Sequence, residues 1–137
     1  MQKPTFLSDS ELVSRAWEAR ELASAPYSNF LVGAALLASD GSVFTGCNVE
    51  SSSYGLSICA ERVALTKAIS EGAREFVTIA VVAEGKGTVS PCGACRQLLH
   101  DYAPNLRVLL SGQEGSHTEH TLKELLPLSF SAEQLKK

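Results

Sequence analysis

Three cysteines and one glutamate are the residues of this chain best suited to catalytic chemistry. Cys59 is followed two positions later by Glu61, and Cys92 and Cys95 have the Cys-x-x-Cys spacing. One helical turn lets both sulfurs of such a pair reach one metal ion, and three thiolates leave the fourth position of a tetrahedral zinc ion open to water. An open position is typical of catalytic zinc sites. Glu61 can approach that position without binding the metal, which predicts a role in proton transfer.

Both cysteine clusters precede predicted helices. Cys59 begins one helix and Cys92 begins another, and the unpaired N–H groups and dipole of a helix N-terminus favour the thiolate form. A zinc ligand, a nearby glutamate that is not a ligand, and a downstream Pro-Cys-x-x-Cys form the pattern of the zinc-dependent deaminases. Pro91 completes that pattern here, and Cys59 stands where it often has histidine.

Two readings from other functional classes compete with an enzyme of this type. A thiol–disulfide oxidoreductase would use Cys92 and Cys95 but leaves Cys59 and Glu61 unexplained. A zinc-binding module with a closed four-cysteine site would use Cys47 as well, which removes the position for water. The sequence favours Cys47 as a small buried apolar residue of a strand. His117 and His120 lie among polar residues, which favours a solvated loop or edge strand over a metal pair.

The first half of the chain predicts a helix and a hairpin. Apolar residues recur at helical spacing from 12 to 23, Ser8 and Glu11 form a capping box in front of them, and the helix ends before Pro26. Two apolar runs, 31–38 and 43–47, flank an Asp-Gly turn, which indicates two antiparallel strands.

The second half alternates helices and strands. A largely buried helix is predicted over 59–71 with Gly72 as its cap, and the other predicted elements are a central strand over 76–83, a loop over 84–87, a second buried helix over 92–102, a strand over 106–110, a short strand over 117–122 and a helical turn over 123–126. This order predicts an α/β protein: a three-layer α/β/α sandwich with a mixed five-stranded sheet.

Length and charge restrict the functional class. With 137 residues, a single domain over 1–137 is expected. The formal net charge is −3 and no basic block could follow a phosphate backbone, so nucleic acid is not an expected partner. No apolar run is long enough for a membrane span or a signal peptide, so no membrane contact is expected. The same observations predict a soluble cytoplasmic protein, and closely spaced cysteines in a reducing compartment indicate metal or redox chemistry in place of disulfides.

Residues 26–130 resemble the short, homotetrameric cytidine deaminases. The motifs that carry the resemblance are Pro26-Tyr27-Ser28-Asn29-Phe30, Val32-Gly33-Ala34-Ala35-Leu36, Gly46-Cys47-Asn48-Val49-Glu50, Cys59-Ala60-Glu61-Arg62 and Pro91-Cys92-Gly93-Ala94-Cys95-Arg96-Gln97. The resemblance implies the cytidine deaminase-like fold and the zinc-dependent conversion of cytidine and deoxycytidine to uridine and deoxyuridine, with release of ammonia, in pyrimidine salvage.

The resemblance also implies roles for individual residues. Cys59, Cys92 and Cys95 would hold one Zn²⁺ per subunit, and Glu61 would carry protons between water and the base. The implied substrate-binding residues are Asn48 and Glu50 at the ribose 3′-hydroxyl, Phe30 and Ala60 beside the nucleoside, and Phe130 from a neighbouring subunit. Arg62 follows Cys59 closely enough to donate N–H bonds to the ligand sulfur.

One segment departs from the family pattern. Ser51, Ser52 and Ser53 precede Tyr54 where the family commonly has Asn-Ala after the glutamate. This difference leaves the substrate range open: a free base, an antibiotic nucleoside, a C4-substituted or modified pyrimidine nucleoside, or a base within RNA are the alternatives. The acidic charge balance disfavours a polynucleotide, and Asn48 with Glu50 favours a molecule that carries its sugar.

Overall fold

The computed structural model describes residues 7–85, 91–131 and 135. In chain order these residues form α1 (Asp9–Arg20), β1 (Gly33–Ala38), β2 (Val43–Cys47), a 3₁₀ turn (Tyr54–Leu56), α2 (Ala60–Ser70), β3 (Phe76–Val82), α3 (Gly93–Tyr102), β4 (Arg107–Ser111), β5 (Thr118–Thr121) and α4 (Leu122–Leu125). The predicted helices and strands are all present, and each of their ends either matches the prediction or differs from it by one to three residues.

The five strands form one mixed sheet in the order β2-β1-β3-β4-β5. β1 is antiparallel to both β2 and β3, whereas β3 and β4 are parallel and β5 returns antiparallel to β4. A parallel pair needs a crossover connection, and α3 supplies it between β3 and β4. The predicted loop over 84–87 lies partly outside the described residues.

The first helix covers one face of the sheet. Ser8 caps α1 and forms the predicted capping box with Glu11. The buried side of the helix packs on β1, β3 and β4, where the buried cluster is Leu12, Val13, Ala16, Trp17, Ala35, Leu37, Ala80, Val82 and Leu109. Trp17 Nε1 also donates to the Ser111 hydroxyl at 3.1 Å, which satisfies the indole N–H inside the core.

The second and third helices cover the opposite face, which completes the predicted three-layer sandwich. Helix α2 begins after Cys59, and the chain leaves it through Gly72, whose φ of +100° suits glycine. The prediction that α3 is a buried helix is wrong, because only Cys95 and Leu99 of this helix are buried. Helix α3 turns one side toward solvent, so it is amphipathic. Along the described stretches, no helix has the length and apolar character needed to cross a bilayer.

Candidate metal centre and active site

Two helix N-termini bring three sulfurs together. Cys59 and Cys92 are the N-cap residues of α2 and α3, and neither side chain is used in capping its helix. Cys95 lies one turn into α3 and is buried. The Cys59 and Cys92 sulfurs are 3.6 Å apart, the Cys92 and Cys95 sulfurs 3.2 Å, and all three lie within 4.8 Å of one another.

This sulfur cluster fits a zinc ion. Zinc binds thiolates at about 2.3 Å with tetrahedral geometry, which places neighbouring sulfurs roughly 3.8 Å apart. The observed separations of 3.6 Å and 3.2 Å require only small adjustments. Both helices direct their positive N-terminal ends at the cluster, which stabilises the negative charge of the thiolates. Three sulfur donors leave a fourth position for a non-protein ligand.

The three thiols share protons unequally. Hydrogen bonds to its sulfur, chiefly from Cys95 and then from Arg62 and Cys92, lower the pKa of Cys59 to about 5. The pKa of Cys95 is raised because its thiol donates to Cys59 and is largely buried. In the metal-free cluster the negative charge is therefore favoured at Cys59 and disfavoured at Cys95. Zinc displaces such protons when it binds, so zinc affinity should rise with pH.

Cys47 lies on the other side of the sheet. Alternate residues of a strand face opposite ways, and Phe44 packs in the α2 layer whereas Val43 packs toward α1. Cys47 has the same parity as Val43 and is half-buried. It therefore faces away from the sulfur cluster and cannot close it.

The two histidines also remain outside the cluster. In the described part of the chain, the three cysteines form the single group of side chains close enough to hold a metal. His120 Nε2 is instead hydrogen-bonded to the Thr118 hydroxyl at 2.9 Å on the edge strand β5. This agrees with the predicted edge strand.

Glu61 lies beside the sulfurs in the first turn of α2. Only 3 % of the Glu61 surface is exposed to solvent. This burial raises the pKa of its carboxyl group, and the negative charge of Cys59 raises it further. A buried carboxyl with a raised pKa, next to a candidate metal site, is suited to accepting and returning a proton near neutral pH. Glu61 contributes no sulfur and is not needed to complete the ligand set.

A cavity of about 220 Å³ opens onto Glu61 and two of the sulfurs. Its other lining residues are Phe30, Val32, Asn48, Ala60 and Val81. The structure thus brings three predicted substrate-binding residues, Phe30, Asn48 and Ala60, to one wall with Glu61. Val32 and Val81 could not be identified as cavity residues from sequence, because an apolar side chain in a strand or next to one carries no chemical signal that separates a pocket wall from the core.

Asn48 and Glu50 hold the loop that carries Phe30. The Asn48 side-chain oxygen accepts from the Val32 N–H at 2.9 Å, and its nitrogen donates to the Phe30 carbonyl at 2.8 Å. Glu50 Oε1 accepts from the backbone N–H groups of Tyr27 and Ser28, both at 3.0 Å. These contacts assign both residues a structural task, in addition to any contact with a ligand.

The pKa values of Glu50 and Glu61 are shifted in opposite directions. The Ser28 hydroxyl donates to Glu50 Oε2, and this bond, together with those of the backbone, lowers the pKa of Glu50. Glu61 lines the cavity of about 220 Å³ and Glu50 lines a separate depression, and their pKa values are shifted in opposite directions. This division suits Glu61 to proton transfer and Glu50 to a fixed, ionised acceptor.

Phe130 does not line the cavity of its own chain. Phe130 is 54 % exposed to solvent. Its backbone carbonyl accepts a hydrogen bond from the Gln97 side chain in α3, with Nε2 at 3.0 Å. Ser51 and Ser53 also lie outside the cavity wall, in the turn that leads to the exposed ring of Tyr54.

Arg62 contacts the cluster directly. One of its terminal nitrogens donates to the Cys59 sulfur at 3.6 Å and to the Ser57 carbonyl at 3.3 Å. Its Nε is buried and has no hydrogen-bond partner. A cation hydrogen-bonded to a ligand thiolate withdraws negative charge, which three thiolates would otherwise concentrate on the metal.

Replacing Arg62 with alanine should therefore lower zinc affinity or turnover by ~10–100-fold while the fold is kept. Competition with a chromogenic chelator measures the affinity, and circular dichroism monitors the fold. Arg74→Ala is the matched control: it also removes one arginine, but from beyond the far end of α2, where Arg74 donates to the Ile69 carbonyl. Equal zinc affinity and equal turnover in the two variants would refute the role of Arg62.

A cluster of three cysteines with a buried carboxyl beside it, at the starts of two helices of an α/β/α sandwich, is the arrangement of the zinc-dependent deaminases. The family model of the cytidine and deoxycytidylate deaminase zinc-binding region matches residues 7–110. The chain belongs to this family. The zinc cofactor follows from the matched zinc-binding region and from the sulfur cluster.

Individual relatives agree with the family assignment. A cytidine deaminase from Halalkalibacterium halodurans is 54 % identical over 125 residues, which cover 90 % of this chain and 95 % of that protein. A cytidine deaminase from Sporosarcina psychrophila is 48 % identical over 126 residues, covering 91 % of this chain and 93 % of that protein. The crystal structure of cytidine deaminase from Burkholderia pseudomallei superimposes with a TM-score of 0.88 at 50 % identity, covering 90 % of this chain and all of that one (100 %).

Proposed function

We propose that this protein is a zinc-dependent hydrolytic deaminase that converts cytidine and deoxycytidine to uridine and deoxyuridine with release of ammonia. One observation carries the proposal: the buried carboxyl of Glu61 opens, together with the sulfurs of Cys59 and Cys92, onto one small cavity. Cys59, Cys92 and Cys95 would hold the zinc ion. The resemblance of the chain to named cytidine deaminases supports the same reaction.

The reaction adds water to C4 of the pyrimidine ring and breaks the bond between C4 and the amino nitrogen. When bound, zinc supplies the Lewis acidity that makes water nucleophilic at neutral pH. A Glu61 carboxylate oxygen takes the proton of the attacking water and returns protons to ring N3 and to the departing nitrogen. The raised pKa of Glu61 suits it to both steps, since the group must be basic first and acidic afterwards.

The shape of the site supports a free nucleoside as substrate. The cavity of about 220 Å³ has mostly apolar walls, with Phe30 and Val81 among them, which suits a flat ring. A second depression of about 320 Å³ is lined by Tyr27, Ser28, Glu50, Tyr54 and Ser57. The Glu50 carboxylate in this depression and the Asn48 amide at the first cavity are hydrogen-bonding groups that suit the hydroxyls of a sugar.

A panel of rate measurements tests the proposal. Ammonia release is measured from cytidine, deoxycytidine, cytosine, adenosine and C4-substituted cytidines with the zinc-loaded protein. We expect cytidine and deoxycytidine to react with the highest kcat/KM. If a C4-substituted nucleoside reacted far faster than cytidine, the alternative of a modified pyrimidine nucleoside would replace this proposal. No ammonia from any pyrimidine nucleoside would contradict it altogether.

The proposal includes a homotetramer in the cytoplasm, in which Phe130 of each chain completes the site of a neighbour. The exposure of the Phe130 side chain and its position outside the cavity of its own chain support this arrangement. Subunit mixing tests it: Glu61→Gln and Phe130→Ala proteins, each of low activity, should recover activity when unfolded and refolded together, because mixed assemblies contain some intact sites. Light scattering gives the assembly size. A fully active monomer would remove Phe130 from the site.

A further inference from the structure

We propose that Gly46 is a positioning residue for this reaction: its missing side chain lets the first turn of α2 sit close enough to the sheet to place Glu61 and Cys59. The proposal rests on the proposed deamination for its activity readout. Gly46 lies in β2, touches neither the sulfurs nor the cavity, and acts through the helix packed on it.

The contact between Gly46 and α2 is one of backbone against backbone. A Cβ atom built on Gly46 would lie 2.5 Å from the Ala60 carbonyl oxygen and 2.6 Å from the Ala64 backbone nitrogen, with Val63 Cβ at 3.1 Å. Contacts under 3 Å cannot be relieved by rotating a side chain when the partners are backbone atoms. The helix itself would have to move.

The displaced segment is the one that carries the chemistry. Ala60 stands between Cys59 and Glu61, so a push on its carbonyl acts on the peptide groups next to both residues. To restore an ordinary contact of about 3.5 Å, α2 must retreat from the sheet by roughly an ångström. Cys92 and Cys95 are on α3, which Gly46 does not contact. The retreat would therefore change the position of Cys59 relative to the other two sulfurs.

The sheet row beneath the two helices fits this role. Gly46 pairs with Ala34, Ala34 with Val81, and Val81 with Leu110, so side chains become larger from β2 to β4 along one row. The row therefore has its smallest side chain where it meets the start of α2. A misplacement of about 1 Å at reacting groups can cost ~10²-fold in rate. Because Gly46 is the residue of the row that contacts the start of α2, we expect a side chain added there to have the largest effect on the site.

Gly46→Ala tests the proposal in the full-length protein. We expect kcat for cytidine to fall ~10–100-fold with a much smaller change in KM. The visible absorption of Co²⁺ substituted for zinc should also change, because that spectrum reports metal geometry without any turnover. Leu12→Ala is the control, since it removes buried volume on the α1 side. It should lower the melting temperature while leaving kcat and the Co²⁺ spectrum unchanged.

Two results would overturn the proposal. One is an unchanged Co²⁺ spectrum and kcat in folded Gly46→Ala; the other is an equal change in Leu12→Ala, which would make the effect one of general stability. If Gly46→Ala does not fold, Ala34→Val takes its place, because Ala34 is buried in the same cluster as Ala60 and Ala64. A normal spectrum in that variant would overturn the proposal. Failure of the unsubstituted protein to deaminate cytidine would instead refute the proposed function and leave the spectroscopic test intact.

Discussion

Replacing Glu61 with glutamine should lower the turnover of cytidine by at least ~10²–10⁴-fold while the protein keeps its zinc. Glutamine has nearly the same shape and can accept a hydrogen bond, but it cannot take up a proton and return it. The metal should remain because the three sulfurs form the ligand cluster without Glu61. Ammonia release measures the turnover, and elemental analysis of the dialysed protein measures the zinc.

The same variant should be at least as stable as the unsubstituted chain. Burial raises the pKa of Glu61 above that of the unfolded chain. A carboxyl group shifted in this direction destabilises the fold once the pH rises past the unfolded value of about 4.3, and the penalty grows until the pH passes the raised pKa of the folded state. Removing the ionisable group should therefore keep or raise the melting temperature of the metal-free protein at pH 7. Lost turnover with undiminished stability would exclude unfolding as its cause.

Cys59→Ala provides the contrasting variant. It removes one of three sulfurs, so it should lose zinc together with activity, and added zinc should restore little of either. If Glu61→Gln released its zinc while Cys59→Ala retained it, the assignment of ligand and proton carrier would be reversed. If Glu61→Gln kept full activity, the proposed mechanism would be wrong.

The elements that sequence predicted well are those set by local signals. Ser8 and Glu11 form a capping box that depends on four consecutive residues, and the structure contains it at the start of α1. The hairpin could also be predicted from sequence, because two apolar runs flank an Asp-Gly turn. In the structure β2 has the predicted bounds Val43–Cys47. The metal cluster could be predicted for another reason. Cysteine types and spacings identify the chemistry even though Cys59 and Cys92 are 33 positions apart.

The features that sequence did not reveal depend on what each segment packs against. The exposed side of α3 follows from its position outside the sheet, which its composition did not show. Val32 and Val81 become cavity residues only because the fold brings them to the same cavity as Glu61. The hydrogen bonds that the loop over 27–32 donates to Asn48 and Glu50 are also tertiary. The resemblance to a known family implied a role in sugar binding for these two residues, but it did not reveal the partners that they have within the chain.

The hydrogen bonds that Asn48 and Glu50 already make determine which of their groups can bind the sugar of a substrate. An ionised carboxylate has about four acceptor positions, and Glu50 uses two for backbone N–H groups and one for the Ser28 hydroxyl. Asn48 uses one of its two side-chain N–H groups for the Phe30 carbonyl. One acceptor position on Glu50 and one N–H of Asn48 therefore remain, and we propose that the ribose 3′-OH binds to them.

We expect cytosine, which has no sugar, to react with a kcat/KM at least ~10⁴-fold below that of cytidine. Deoxycytidine keeps the 3′-hydroxyl and should remain a good substrate. The contribution of contacts remote from C4 can appear in kcat as well as in KM, because binding energy from the sugar serves to place the ring against Glu61. Steady-state rates with the three compounds measure the difference.

Glu50→Ala should remove most of the preference for cytidine over cytosine and leave the zinc in place. The competing explanation is that Glu50 only holds the loop carrying Phe30, and Ser28→Ala separates the two. Ser28→Ala removes two loop hydrogen bonds, the one that its hydroxyl donates to Glu50 and the one that it accepts from the Phe30 N–H, but it keeps the carboxylate and both of its backbone donors. If sugar recognition is the role of Glu50, Ser28→Ala retains the preference that Glu50→Ala loses. If Glu50→Ala instead slowed cytidine and cytosine equally, Glu50 would be a loop anchor and the assignment of a ribose site would be wrong.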